Sequence, residues 1–263
     1  MNHIEIAKQL LEAERRKQAI EPLTSTYPEI SVDDAYRIQI SQIEEKVADG
    51  ARIVGKKIGL TSEVMQRMFN VTTPDYGHIL DEMMCVEAEP IDVGQFLSPK
   101  LECEIAFILK DDLQGPGVTF DDVVRATDYV VPAFEVIDSR IRDWQIRFED
   151  TVADNGSSAR AVLGGNPTKL DNLDLHHLGM AFYKNGEMID TATGAAVMGN
   201  PIHAVAWLAN ALGKYGIVLK KGEVILSGAL TAAVSVQADE IYTAEFAHLG
   251  SVTASFVKGE SNK

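Results

Sequence analysis

The chain has 263 residues, of which 46% are hydrophobic and 24% are charged, and this composition predicts a soluble globular protein with a sizeable core. Its net charge of −15 argues against nucleic acid or an anionic membrane as partner, because both require a basic surface. No stretch reaches the roughly 18 apolar residues of a membrane span, and two cysteines are too few for a disulfide framework. We therefore expect a cytoplasmic protein.

The first 50 residues are predicted to be helical. A first amphipathic helix is indicated by apolar residues at helical spacing, namely Ile4, Ala7, Leu10 and Leu11. Residues 22–28 lie between two prolines and are predicted to form a loop, and a second helix is predicted over 31–50. No residue here has the pattern of a catalytic group. We expect a helical N-terminal segment over 1–50 and a catalytic, β-rich domain over 51–263.

Short strands dominate the pattern after residue 50. Strands are predicted over 52–59, 98–109, 129–137 and 223–228. The intervening segments are predicted as a helix with core-facing methionines after Ser62, a turn over 73–77, a short helix over 120–127, a polar loop over 138–158 and a helix over 201–213. Asn185-Gly186 is typical of a type I′ hairpin. Many short strands with few helices predict an α+β fold with a mixed β-roll or sandwich core.

Three glutamates in two predicted strands are candidate metal ligands. Glu102 and Glu104 lie two residues apart at the start of a buried strand and therefore share one of its faces. Glu135 lies inside a second apolar strand, where an unpaired charge is costly. Oxygen ligands favour Mg²⁺, Mn²⁺ or Ca²⁺ over Zn²⁺. The alternatives are that one or both of Glu102 and Glu104 are solvated at a strand end and that Glu135 pairs with Arg140 or Arg142.

Lys57 and Asp75 are the next candidates. Lys56 and Lys57 alternate faces, so one is expected to point inward and the other outward. The inward lysine would either form a salt bridge with a glutamate, or bind a substrate carboxylate or shuttle a proton with a pKa lowered by the metal. Asp75 lies in the predicted turn and is either a general base or a turn residue that bonds its own backbone. Residues 154–158 are rich in small polar groups that could donate to an oxyanion. Dinucleotide-binding, P-loop and serine-hydrolase motifs are missing from the sequence.

Several spaced motifs resemble the hydratase and decarboxylase branch of the fumarylacetoacetate hydrolase superfamily. In chain order they are Gly55-Lys-Lys-Ile-Gly-Leu-Thr-Ser62, Pro74-Asp-Tyr-Gly77, Glu102-Cys-Glu104, Pro132-Ala-Phe-Glu-Val-Ile-Asp-Ser-Arg140 and Asp150-Thr-Val-Ala-Asp-Asn155. The resemblance extends from about residue 20 to residue 257. It implies a β-roll core of the family's type and a homo-oligomer, a pentamer or a decamer.

The resemblance also implies the chemistry of the site. Proteins of this family act on 2-oxo-enoic acids from aromatic ring cleavage and use Mg²⁺ or Mn²⁺, which here would be held by Glu102, Glu104 and Glu135. It implies catalytic roles for Lys57 and Asp75. Substrate contacts are implied for Leu60, Thr61, Asn155, Ser157, Ser158, Arg160 and Thr231.

Two branches and a third alternative remain open. Asp75 and the motif over 150–155 favour hydration of 2-hydroxypenta-2,4-dienoate, because water attack at C4 needs a base. Residues 157–160 and 230–234 look more like a 4-oxalocrotonate decarboxylase, in which Arg160 would pair with a second substrate carboxylate. The third alternative is a catalytically silent acidic protein that binds a ligand. We expect the hydratase.

Overall fold

The computed structural model describes residues 1–259. Its helices are α1 (His3–Arg16), α2 (Leu23–Thr26), α3 (Val32–Ala48), α4 (Glu63–Met68), α5 (Phe120–Ala126), α6 (Phe148–Ala153) and α7 (Pro201–Gly213). Its strands are β1 (Ile53–Gly59), β2 (Asp75–Leu80), β3 (Met84–Cys85), β4 (Ile91–Asp92), β5 (Lys100–Leu109), β6 (Thr127–Ile137), β7 (Ser158–Leu163), β8 (Gly179–Lys184), β9 (Glu187–Thr193), β10 (Val224–Leu226), β11 (Val234–Ser235), β12 (Glu240–Phe246) and β13 (Gly250–Val257).

The N-terminal part is helical, as predicted, and packs against the rest of the chain. Ser31 and Asp34 form a capping box that starts α3. The buried side of α1 includes Ile6, whereas Ile4 is exposed, so the predicted apolar face was off by part of a turn. The loop predicted over 22–28 contains α2. This part shares a hydrophobic cluster with Phe148 of α6, and the division at residue 50 stays a prediction.

The larger of two sheets carries the acidic strands. Its order is β2-β1-β10-β5-β6-β7-β3, with β11 paired to β5. β1 and β10 are parallel, and β5 is antiparallel to both β10 and β6. Consequently the C-terminal ends of β1, β10 and β6 lie at the same end of the sheet as the N-terminal ends of β2, β5 and β7. Residues from six strands therefore lie together at one end of the larger sheet.

The second sheet covers one face of the first and closes the main core. It has the order β4-β13-β12-β8-β9. Phe134 of β6 lies 5.8 Å, ring centre to ring centre, from Phe182 of β8, which packs on Tyr242 of β12. The predicted hairpin joins β8 to β9, and both turn residues have positive φ, as a type I′ turn requires. The predicted α+β fold with a mixed, layered sheet core is confirmed.

Three predicted elements differ in the structure. The loop over 138–158 contains α6, whose apolar residues pack beneath α3. The turn over 73–77 is already the start of β2, so Asp75 is a strand residue. The helix α4 buries none of its residues, and Met68 is 71% exposed, so the expectation of core-facing methionines was wrong. In the part of the chain the structure describes, every helix is too short or too polar to cross a membrane.

Candidate active site

The three glutamates meet on the face of the larger sheet that turns away from the second sheet. Glu102 of β5 lies directly opposite Glu135 of β6 in the antiparallel register, and Glu104 is two residues further along. Each offers an oxygen within 4.8 Å of the others. Glu104 and Glu135 are fully buried and Glu102 is partly buried, so a solvated strand end does not describe Glu104. Side chains that face each other across strands explain why three carboxylates converge.

The arginine alternative for Glu135 is wrong. Arg140 pairs with Asp154, and Arg142 pairs with Glu21. The cation that contacts Glu135 is Lys57, whose Nζ lies 3.3 Å from its Oε2. Glu135 therefore belongs to a cluster of three carboxylates and one ammonium group.

Several carboxylate oxygens in this cluster are buried without a hydrogen-bond partner. They are Oε1 of Glu104 and both oxygens of Glu135, although Oε2 of Glu104 accepts a 2.8 Å bond from the Gly228 N–H. A buried polar atom left unpaired costs roughly 1–3 kcal/mol, and more when it is charged. Three carboxylates and one ammonium group also leave two negative charges in the cluster. Both features fit a hard divalent cation with oxygen ligands.

Burial raises the pKa of all three glutamates. The pKa of Glu102 rises to about 7, because burial and Glu135 outweigh the attraction of Lys57. The pKa of Glu104 is raised well above its ordinary value by burial and by the other two glutamates. Burial also raises the pKa of Glu135, against the opposing effects of Lys57 and of the Ser158 hydroxyl. Burial and mutual repulsion therefore both disfavour the ionised glutamates, and a cation would offset both effects.

Lys57 reaches the cluster from β1. Its Nζ donates a 3.0 Å hydrogen bond to the Gly156 carbonyl. Burial acts to lower the pKa of Lys57, but Glu135, Asp75 and the other two glutamates outweigh it and raise the pKa. Lys56 is also buried, where its Nζ lies 2.8 Å from both oxygens of Glu223. The expectation that one of the two lysines points outward was therefore wrong.

Asp75 lies beside Lys57 on the same end of the sheet. It is 2% exposed, and its Oδ1 has no hydrogen-bond partner. Burial raises its pKa, whereas Lys57 and the backbone N–H groups of Gly59 and of Asp75 itself lower it. A Cβ placed on Gly59 would lie 2.0 Å from Asp75 Oδ1 and 3.3 Å from Lys57 Nζ, so these three groups are in close contact. A buried carboxylate with a raised pKa and a free oxygen suits a general base.

The turn over 155–157 closes one side of the site. Asn155, Gly156 and Ser157 all have positive φ, between 54° and 61°. The Asn155 side chain accepts from the His78 N–H and donates to the His78 carbonyl, so its amide is already occupied. The Ser157 hydroxyl lies 3.3 Å from Asp154 Oδ2. Substrate contacts from Asn155 and Ser157 stay predictions.

The other predicted substrate residues lie on different sides of the larger sheet. Thr61 is buried against Gly228, next to the glutamates. Leu60 has φ 54° and packs on the N-terminal helical cluster. Arg160 is paired with Val136 rather than with Glu135, so its side chain is on the opposite sheet face, where it bonds Gln95. Thr231 lies beside the Cys103 thiol, which is also on that opposite face. The register therefore places the Arg160 side chain away from the carboxylates, and the substrate contact of Thr231 stays a prediction.

Sequence reasoning missed the residues that hold the turn and the base. Arg140 and Asp154 form a buried ion pair, and the Arg140 guanidinium also donates to the backbone carbonyls of residues 138, 154 and 158. Gln39 and Gln42 of α3 are buried and bond to carbonyls of α6. The signal for the glutamines was present, because polar residues on the buried side of a helix need partners.

Comparisons with known proteins agree with this geometry. No protein-family model matches the chain. The chain is 44% identical over 253 residues to 2-hydroxyhexa-2,4-dienoate hydratase of Comamonas testosteroni, covering 95% of this chain and 96% of that protein. It is 43% identical over 258 residues to 2-keto-4-pentenoate hydratase of Paraburkholderia xenovorans (strain LB400), covering 98% and 96%. The structure of 4-oxalocrotonate decarboxylase from Pseudomonas putida G7, complexed with magnesium and adipate, superposes with a TM-score of 0.94, 38% identity and 97% coverage of each chain.

Proposed function

This chain belongs to the hydratase and decarboxylase branch of the fumarylacetoacetate hydrolase superfamily, and we propose that it hydrates 2-hydroxypenta-2,4-dienoate to 4-hydroxy-2-oxopentanoate. It is an enzyme of the lyase type. The single observation that carries the choice of hydration is Asp75, a buried carboxylate beside Lys57 with one oxygen free of hydrogen bonds. The similarity to two proteins named as hydratases supports the same choice.

Glu102, Glu104 and Glu135 would hold the divalent cation, for which we propose Mg²⁺ or Mn²⁺. When bound, the cation would supply positive charge that binds a 2-oxo acid and stabilises its enolate form. It would also neutralise the carboxylates, which removes their effect on the pKa of Lys57.

We assign the proton transfers to Lys57 and Asp75. Lys57 is held between the Gly156 carbonyl and Glu135. In this position it transfers the proton that is exchanged when the dienol converts to the ketone. Asp75 takes a proton from the water that attacks C4, because its free oxygen can accept a hydrogen bond from that water. Its burial, which raises its pKa, makes it a stronger base than an exposed carboxylate.

The second candidate is decarboxylation of 4-oxalocrotonate. The close superposition on a 4-oxalocrotonate decarboxylase favours it. Loss of carbon dioxide needs no base for water, so Asp75 would have no task in that reaction. The position of Arg160 on the opposite sheet face gives the second substrate carboxylate no cation from that residue. These two points make hydration the better proposal.

The test is the Asp75→Asn variant, which keeps the size of the side chain and removes the base. We expect hydration to fall about 10²–10⁴-fold, the usual effect of losing a general base. Ketonisation of the dienol should fall less, and oxalate, an enolate mimic, should still bind with Mg²⁺. Hydration by Asp75→Asn at close to the wild-type rate would remove the main support for a hydratase.

A homo-oligomer, as a pentamer or a decamer, and a cytoplasmic location also remain our proposals. Light scattering of the purified protein measures the first. Fractionation of the source cells tests the second.

A further inference from the structure

A buried glutamine of the N-terminal part connects the strand that carries Asp75 to the helix that precedes the turn bonded by Lys57. Gln39 lies on α3 and is fully buried. Its Nε2 donates to the Tyr76 carbonyl at 3.0 Å and to the Val152 carbonyl at 2.7 Å. Tyr76 follows Asp75 directly in β2. Val152 lies in the last turn of α6, which leads into the turn that holds Lys57.

The hydrogen-bond partners fix the orientation of the Gln39 amide. Both carbonyls require a donor, so the nitrogen must face them and the oxygen must face the ring of His78, whose Nδ1 lies 3.1 Å away. Burial lowers the pKa of His78 to about 4, so at neutral pH the ring is uncharged and can donate from Nδ1. Gln39 therefore uses three of its hydrogen-bonding positions, two on β2 and one on α6.

A second link joins β2 to the turn that follows α6, on the side of the site. The Asn155 amide bonds both backbone groups of His78, and the next residue, Gly156, accepts from Lys57. Strand β2 and the left-handed turn are thus held at a fixed separation from both sides. β1 is paired directly with β2, so a change in that separation leaves the Lys57 backbone in place and moves its ammonium group, which follows the Gly156 carbonyl, relative to Asp75.

We propose that Gln39 is a positioning residue. By tying β2 to the C-terminal end of α6, it sets the position of the Gly156 carbonyl, and with it that of the Lys57 ammonium group, relative to Asp75. This inference rests on the proposed function, because it needs Asp75 and Lys57 to be the groups that move protons. It gives the helical N-terminal part a role in the reaction.

Gln42 provides a matched control within the same helix. It is also buried, and its Nε2 donates to the Ala153 carbonyl of α6 at 2.6 Å and to the Ile38 carbonyl of its own helix at 3.4 Å. Gln39 and Gln42 therefore bond adjacent carbonyls at the end of α6, but the hydrogen bonds of Gln42 do not include β2.

The experiment compares Gln39→Met with Gln42→Met in the full chain loaded with Mg²⁺. Each variant leaves one carbonyl of α6 without its partner, so both should lose stability to urea. A displacement of about 1 Å at a reacting group costs on the order of 10²-fold in rate. We expect kcat for hydration to fall roughly 10- to 100-fold in Gln39→Met and less than threefold in Gln42→Met, with KM and oxalate affinity within threefold in both. Ketonisation should fall less than hydration in Gln39→Met, because Lys57 keeps its bond to the turn.

An equal loss of kcat in both variants, or no loss in either, would overturn the proposal. If Gln39→Met does not fold, Gln39→Asn and Gln42→Asn replace the pair, because an amide one methylene shorter cannot span the partners of Gln39. Lys57→Met and Asp75→Asn test the proposed function separately from the positioning role of Gln39. If these two variants retain hydration, the proposed function fails; if they lose it and Gln39→Met does not, the positioning role alone fails.

Discussion

Substitution of Gly59 by alanine perturbs the proposed base without removing any functional group. A Cβ at this position would lie 2.0 Å from Asp75 Oδ1 and 3.0 Å from its Cγ, where ordinary contact begins near 3.4 Å. The Asp75 carboxylate must therefore move by about 1 Å or more. A shift of this size in a reacting group costs on the order of 10²-fold in rate, or about 2.7 kcal/mol in the barrier. We expect kcat for hydration by Gly59→Ala to fall about 100-fold.

The assay follows hydration and ketonisation in parallel with binding. The glutamates are not displaced by the added methyl group, so Mg²⁺ and oxalate affinities should stay within threefold of wild type. Gly165→Ala is the control, because the nearest atom to its added Cβ, Oε2 of Glu87, lies 4.0 Å away. A Gly59→Ala enzyme that hydrates within threefold of wild type would refute the view that Asp75 must hold its position beside Lys57.

Three further predictions concern the cation, the pH and the predicted dicarboxylate contact. EDTA should abolish activity and Mg²⁺ should restore it, whereas full activity in EDTA would exclude the metal. Glu135→Gln should weaken Mg²⁺ binding at least tenfold in titration calorimetry, with an unchanged circular dichroism spectrum as the control for folding. In EDTA the free energy of unfolding should fall by roughly 1–3 kcal/mol between pH 5 and pH 8. Burial raises the pKa of Glu102 to about 7, so the folded chain keeps a proton that the unfolded chain releases near pH 4.5, and this stabilisation is lost as the pH rises through about 7. Urea titrations of wild type and Glu102→Gln isolate this effect, because the variant should lack most of it, and an identical pH dependence in both would contradict it. Arg160→Ala should change KM for a dicarboxylate less than threefold, because the Arg160 side chain lies on the sheet face opposite the three glutamates. An increase of tenfold or more, with KM for a monocarboxylate measured as the control, would place Arg160 in the substrate site.

The sequence predicted the carboxylate cluster because strand alternation is a local rule. Glu102 and Glu104 share a face wherever their strand lies, and an apolar strand around Glu135 indicates burial. The register that sets Glu102 opposite Glu135 depends on the pairing of β5 with β6, which no local pattern specifies. The resemblance to the superfamily grouped the three glutamates without giving that pairing, and the structure brings them together.

Other residues were misjudged because their environment depends on distant parts of the chain. Lys56 is buried because Glu223, 167 positions away, meets it across two parallel strands. Arg160 was judged by the motif around it, although its sheet face follows from its pairing with Val136 of β6. Gln39 gave no catalytic signal, since its partners on β2 and α6 lie 37 and 113 residues away. Long-range pairing therefore limited the prediction of the site more than local structure did.

The central claim is that this enzyme adds water and does not release carbon dioxide as its main reaction. The Mg²⁺-loaded protein is incubated separately with 2-hydroxypenta-2,4-dienoate and with 4-oxalocrotonate, and the products are identified by proton NMR together with measurement of evolved carbon dioxide. We predict conversion of the five-carbon dienoate to 4-hydroxy-2-oxopentanoate and little or no carbon dioxide from the six-carbon acid. Rapid release of carbon dioxide from 4-oxalocrotonate, with the dienoate left unhydrated, would contradict the claim.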